Sequence, residues 1–182
     1  MDLVQTVVDI DQAPELHIAR ILILIAAFSE GVNGGPIEGL TKLAKLDFLI
    51  RYPVMLQKAL EARGRSTQEV HLEDHERYSV ESKMVRYRFG PWDHRYREFL
   101  NILVAKGLAS ISVEGRKIVI SLTSRGGQIA NQLTLDPLFE SQATRAKVLK
   151  RHLDLSATNL MNFIYETFPE IVSLKSNTPI SL

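Results

Sequence analysis

The chain of 182 residues contains no cysteine. That absence excludes a disulfide framework and any thiolate-held zinc or iron–sulfur site, and it fits a reducing compartment. Long apolar runs are missing too: the longest, Ile21 to Phe28, falls well short of the roughly 20 residues a membrane helix needs. The first residues, Met1 to Asp11, carry Asp2, Asp9 and Asp11 and neither lysine nor arginine, so they lack the basic start of a secretory leader. An excess of one charge is also wanting. Lysine and arginine number 22 against 21 aspartates and glutamates, for a net charge of +1. A free-standing DNA binder is usually more basic than this, so nucleic-acid contact would have to rest on local patches. A soluble cytoplasmic protein is expected.

Catalytic signatures are equally scarce. The segments Gly31 to Gly35 and Gly126 to Gly127 lack the lysine, the glycine spacing and the preceding strand of a phosphate-binding loop. Serines and histidines are scattered without a nucleophile elbow. The densest polar cluster is His71, Glu73, Asp74, His75 and Glu76, whose histidines have the i, i+4 spacing of metal ligands on one helix face. It lacks the apolar neighbours that would hold such a site rigid, and a solvated loop fits better. The expectation is a non-enzymatic chain with no cofactor and no metal.

What is present is a hydrophobic content of 45%, ample for a core, arranged mostly at helical spacing. Pro14 suits a first helical position, and Ile18, Ile21, Leu22, Ile25 and Phe28 recur behind it. Gly31, Gly34, Gly35 and Pro36 then make a turn-rich loop. From Leu40 a second helix directs Leu43, Leu46, Leu49 and Ile50 inward, leaving Thr41, Lys42, Lys45 and Arg51 for the outside. Pro53 breaks it, and a short helix follows through Leu60. Residues 64–81 are polar and aperiodic. Asp93 is placed to cap a helix carrying Tyr96, Phe99, Leu100, Leu103 and Val104, which Gly107 stops.

The period then switches from helical to alternating. Ala109, Ile111 and Val113, then Ile118, Ile120 and Leu122, alternate with polar residues around a Glu114-Gly115 turn, which predicts a β-hairpin. Thr123 or Ser124 caps the next helix, with Ile129, Ala130 and Leu133. Asp136 and Pro137 open another, and Ser156 caps a last one ending before Pro169. Helix, hairpin, helix predicts a mainly α (α+β) winged-helix core over residues 1–135, with a helical appendage over 136–182.

Candidate contacts for a nucleic acid or an acidic partner follow from the charge pattern. Arg86, Arg88, Arg95 and Arg97, with Lys83, are interleaved with Tyr87, Phe89, Trp92 and Tyr96, a mixture suited to phosphates and bases. Trp92 reads more readily as a core anchor. Lys147, Lys150 and Arg151, with Arg145 and His152, form a positive run on one helix. Lys42 and Lys45 on the second helix, with Arg116 and Lys117 at the hairpin, complete the set.

Three stretches, LTKLAKLDFLIRYP from Leu40, MVRYRFGPWDHRY from Met84 and GLASISVEGRKIVISLTSRGGQIANQL from Gly107, resemble the middle component of bacterial ABC-three-component systems, the group that includes Lamassu-type defence. LMNFIYETFP from Leu160 is compatible with it. The resemblance implies a small winged-helix subunit working beside an SMC- or Rad50-like ABC ATPase and an effector, often a nuclease, against phage or plasmid DNA. Such a subunit needs no active site. The rival reading is a stand-alone winged-helix transcription regulator or antitoxin, with Thr41, Lys42 and Lys45 facing the groove and Arg116 and Lys117 on the wing. Fold analogy alone does not decide between them.

Overall fold

The computed structural model of the chain describes residues 13–72, 76, 85–87 and 90–173, with 85–87, 90–92 and 172 described by backbone alone. Helix α1, Pro14–Ser29, begins on its proline and is buried without a break from Ala19 to Phe28. A helix apolar around its circumference must be enclosed on all sides. Here α2 (Leu40–Arg51), α4 (Tyr96–Ala105), α5 (Ser124–Leu135) and α6 (Glu140–Leu153) enclose it, together with strand β5 (Lys117–Leu122). Each fully buried leucine or isoleucine there contributes about 1.5–3 kcal/mol relative to exposure.

Strand β4 (Ala109–Glu114) pairs antiparallel with β5 from Ala109↔Leu122 to Glu114↔Lys117, as the alternation predicts. The glycine loop after α1 holds something the sequence did not announce. Ile37–Glu38 form a strand, β1, that lies against β5 with Ile37 opposite Ile120 and Glu38 opposite Val119. The sheet order is therefore β1-β5-β4. Two residues give no visible alternation, but Ile37 is fully buried and secures the strand. A second antiparallel pair joins β2 (Val85–Tyr87) to β3 (Gly90–Trp92) just before α4.

Helix α2 departs from expectation. Every residue from Lys42 to Arg51 is buried, because α1, α3 (Pro53–Ala62), α6, α7 (Ala157–Thr167), β1 and β3 all pack around it. Lys42, Lys45 and Arg51, expected outside, are interior. Asp136 caps a 3-10 turn, Pro137–Phe139, and α6 starts only at Glu140. Leu149, Leu153, Leu160 and Ile164 of α6 and α7 belong to the same apolar cluster as Ile21 and Leu46. A short helix α8, Pro169–Ser173, follows.

Candidate functional site

The hairpin is aimed by the corner that precedes it. Gly107 ends α4 at φ 66, a conformation a side chain resists, and Leu108 N–H then donates to Leu103 O at 2.8 Å. Thr123 closes the corner from the other side: its Oγ1 donates to Gly107 O at 2.7 Å and accepts from Gly126 N at 3.0 Å. The first turn of α5 thereby sits so close to the corner after α4 that a Cβ on Gly126 would lie 1.8 Å from Leu108 O. Beyond this corner the hairpin runs into solvent, with Ile111 41% and Val113 70% exposed. Arg116 is exposed at its turn with no partner among the described residues, and Lys117 Nζ reaches Glu38 Oε2 at 2.7 Å.

Helix α4, which leads into the hairpin, buries Tyr96, Phe99, Leu100 and Leu103 and exposes Arg97, Glu98 and Asn101. An ionic junction holds it against α1 and α2. Arg20 of α1 donates to both oxygens of Asp47 of α2, at 2.6 and 3.1 Å, and Tyr96 Oη donates to Asp47 Oδ2 at 2.6 Å. Burial pushes the Asp47 carboxyl up, but Arg20, Arg51 and the Tyr96 hydroxyl outweigh it and hold the group below the usual carboxylate range. Burial and the adjacent Asp47 push the Tyr96 phenol well above its ordinary value. The hydroxyl therefore stays protonated and donates.

His17 extends the junction. Its Nδ1 accepts from Arg20 Nη2 at 2.9 Å, its ring stacks on Phe99 with centroids 5.4 Å apart, and its Nε2 is buried without a hydrogen-bond partner among the described residues. Burial, with Arg20, Arg51 and Arg95 nearby, lowers the imidazole to about 4. At the outer edge Asp93 binds Arg51 Nη1 at 3.1 Å and Arg95 Nη2 at 2.8 Å. Asp93 does not cap α4: the helix starts at Tyr96 with no side-chain cap, and Asp93 Oδ1 accepts from Arg95 N instead. Burial raises the Asp93 carboxyl and the two arginines bring it down far below its ordinary value.

The predicted contact residues thus meet different fates. Lys42 is buried, with Nζ 2.9 Å from Asp154 Oδ1 and 5.6 Å from the Phe28 ring centroid. Lys45 is 1% exposed. Arg95 is held by Asp93 and lies over Phe99, whereas Arg97 stands exposed. Arg86 lies opposite Pro91 in the β2–β3 pair, its side chain outside the described atoms, and Arg88 lies outside the described residues.

The positive run on α6 is largely neutralised by carboxylates, two of them distant in the chain. Lys150 binds Asp154, Arg151 binds Glu69, and buried Arg145 binds both oxygens of Glu76 at 2.7 Å. Lys147 alone of that run is exposed and unpaired among the described residues. His71 is exposed and His75 lies outside the described residues, and among the described residues no group of three metal-ligating side chains forms.

Lys106 and Arg125 carry no signal in the charge pattern. Both are exposed beside the Gly107–Thr123 corner, where Thr123 Oγ1 ties the start of α5 to the residue that ends α4. Arg116, Lys117, Arg97, Lys106 and Arg125 are the cations that the hairpin and its flanking helices present to solvent.

The chain is thus mainly helical and carries an exposed, cation-tipped hairpin on a small antiparallel sheet. The family model of ABC-three component (ABC-3C) system Middle Component 4 matches residues 37–162, from β1 into α7. The chain belongs to that family. No curated protein and no solved structure matches it.

Proposed function

We propose that the chain is a non-catalytic winged-helix adaptor of an SMC- or Rad50-like ABC ATPase complex, with a separate effector, in bacterial defence against phage or plasmid DNA. Membership of a middle-component family carries this reading, since a component of a multi-part system works through its partners. The topology supports the winged-helix part. Helix α1, strand β1 and helix α2 precede α4, which runs straight into the β4–β5 hairpin, and β5 is the central strand. On this reading α4 occupies the place of a recognition helix and Arg116 and Lys117 sit on the wing.

The regulator reading loses its groove-facing helix. Lys42 and Lys45 are buried in α2, and few side chains suited to base edges stand exposed on α4 beyond Arg97 and Asn101. Co-expression with neighbouring open reading frames followed by affinity purification tests the proposal. The expected outcome is a stable complex with an ABC ATPase, and a chain that purifies alone from an operon encoding one would overturn it.

A further inference from the structure

Lys45 stands apart from the other interior cations. Arg20 and Arg51 meet aspartates, Lys42 meets Asp154 and Arg145 meets Glu76. Lys45 is 1% exposed and has no carboxylate among the described residues, where its hydrogen bond goes to Thr41 O, a turn back in its own helix, at 3.2 Å. Asp47 is engaged by Arg20 on another face of α2, and Asp154 is taken by Lys42 and Lys150. Burial alone accounts for the lowering of this amine to about 8. An ammonium buried without a carboxylate is costly, and an anion beside it would offset that cost.

Lys45 also forms part of a wall. With Thr41, Ala157, Thr158 and Met161 it lines an open pocket of about 230 Å³ between α2 and the start of α7. The first amides of a helix have no partners within it. In α7, Ser156 Oγ accepts from Asn159 N at 3.2 Å and Ser156 O from Leu160 N at 2.8 Å. The N–H groups of Ala157 and Thr158 are left without a partner among the described residues. Lys45, whose ammonium has no carboxylate among the described residues, and the first two residues of α7, at the positive end of its dipole, thus line one cavity.

The rest of the lining is apolar or hydroxylic. The Ala157 methyl, the Met161 thioether, the Lys45 stem and the methyls of Thr41 and Thr158 suit an alkyl group. A single cation balances one negative charge, which favours a carboxylate over a phosphate dianion. We infer that the pocket between α2 and α7 is a binding site for an aliphatic carboxylate, with Lys45 and the first amides of α7 holding the anion and Met161 covering its carbon chain. The acid's source is open among a free small molecule, a chain-terminal carboxylate and an acidic side chain. This site is a property of the isolated chain and does not depend on the adaptor reading.

Butyrate is a suitable probe, with butyramide as its neutral isostere and sodium chloride as the ionic-strength control. In ¹⁵N spectra of the full chain, butyrate should shift the Ala157 and Thr158 amides saturably, and butyramide should not. Amine labelling of Lys45 at pH 7, read by mass spectrometry, should slow about tenfold, the equivalent of a midpoint raised by one unit when a carboxylate neighbours the ammonium.

Two variants refine the test. Lys45→Met should abolish binding. Ala157→Pro deletes one donor at the first helical position, where proline is favoured, and Ser156 at φ −59, ψ 158 already has the conformation proline requires before it. That variant should fold and bind about tenfold more weakly, the worth of one hydrogen bond to a charged group. Peptides with a free or an amidated carboxyl terminus, and a blocked peptide with internal glutamate, separate the sources. The inference is overturned if butyrate moves neither the amides nor Lys45 labelling at concentrations that fill a site of Kd about 1 mM, or if butyramide acts equally.

Discussion

Helix α2 and the β4–β5 hairpin carry the same kind of side chain into opposite surroundings. On α2, Lys42, Lys45 and Arg51 are buried among packed elements. On the hairpin, Arg116 and Lys117 stand in water, and Lys117 pairs with an exposed carboxylate, Glu38. A cation on a helix lies outside only when one face of that helix is left uncovered. In α2 only the Thr41–Lys45 side, which borders the pocket beside α7, is open, so its charges belong largely to the architecture, whereas charges on the hairpin are available for an encounter. Stability should therefore respond to α2 and its partners, and binding to the hairpin.

The largest effect is expected at the junction. Asp47→Ala leaves Arg20, Arg51 and the Tyr96 hydroxyl facing an apolar gap, and breaking a buried pair from one side costs about 3–5 kcal/mol. Urea unfolding measures it. A loss below about 1 kcal/mol, the range of exposed ion pairs, would remove the distinction between α2 and the surface.

Next comes the pH response of His17. Its folded pKa, about 4, lies below its ordinary 6.5, so between these values the unfolded chain binds a proton that the folded chain refuses. Stability gained from this residue is complete above pH 6.5 and falls as pH drops toward 4, by up to about 3 kcal/mol at one unit per 1.36 kcal/mol. His17→Gln retains an acceptor for Arg20 and does not titrate. Its stability should fall less steeply than the parent's across that window, and parallel curves would show that the imidazole is not buried neutral.

Adjacent glycines at the base of the hairpin give a smaller and signed test. Gly126→Ala places a methyl into Leu108 O and should destabilise by more than about 1 kcal/mol, while Gly127→Ala meets nothing within 4 Å and should gain about 0.5–1 kcal/mol in helix propensity. Thermal unfolding of both variants reads the difference. Equal effects would mean that the corner does not fix where the hairpin points.

Much of this was legible in the sequence, for physical reasons that differ by element. The hairpin was legible because period-two alternation and a Glu114-Gly115 turn are local signals, and Thr123 and Ser156 act as the caps their types suggest. β1 was not, since two residues between a glycine loop and a helix carry no period and owe their conformation to β5. Burial of Lys42 and Lys45 was hidden because amphipathic spacing on α2 assigns polar residues to water, and nothing local foretells that Asp154 and the start of α7 arrive from far along the chain. The pairing of the positive run on α6 was equally hidden: two of its carboxylates, Glu69 and Glu76, come from the polar stretch with no readable pattern. Side-chain identity supplies the charges, and only tertiary packing decides which of them remain available.

The smallest effect on stability, and the most telling for function, belongs to the hairpin tip. Replacing Arg116 and Lys117 together by alanine should leave the unfolding midpoint unchanged, because both are exposed and the Glu38 pairing is in water. Its consequence should appear in DNA binding. An adaptor touching DNA through a few phosphates binds weakly and without sequence preference, and its affinity falls steeply with salt because counterions are released. The double variant should weaken binding about equally on the protein's own promoter and on scrambled DNA, and the slope of log affinity against log salt should drop by about 1 for each phosphate that the variant no longer neutralises. Fluorescence anisotropy at two salt concentrations measures both quantities, and the complex with an ABC ATPase should survive the substitutions. A regulator would instead bind one operator at about nanomolar affinity in physiological salt and discriminate by orders of magnitude. Such discrimination, joined to the lack of an ATPase partner on purification, would transfer the hairpin from a general contact to a specific reader and end the adaptor reading.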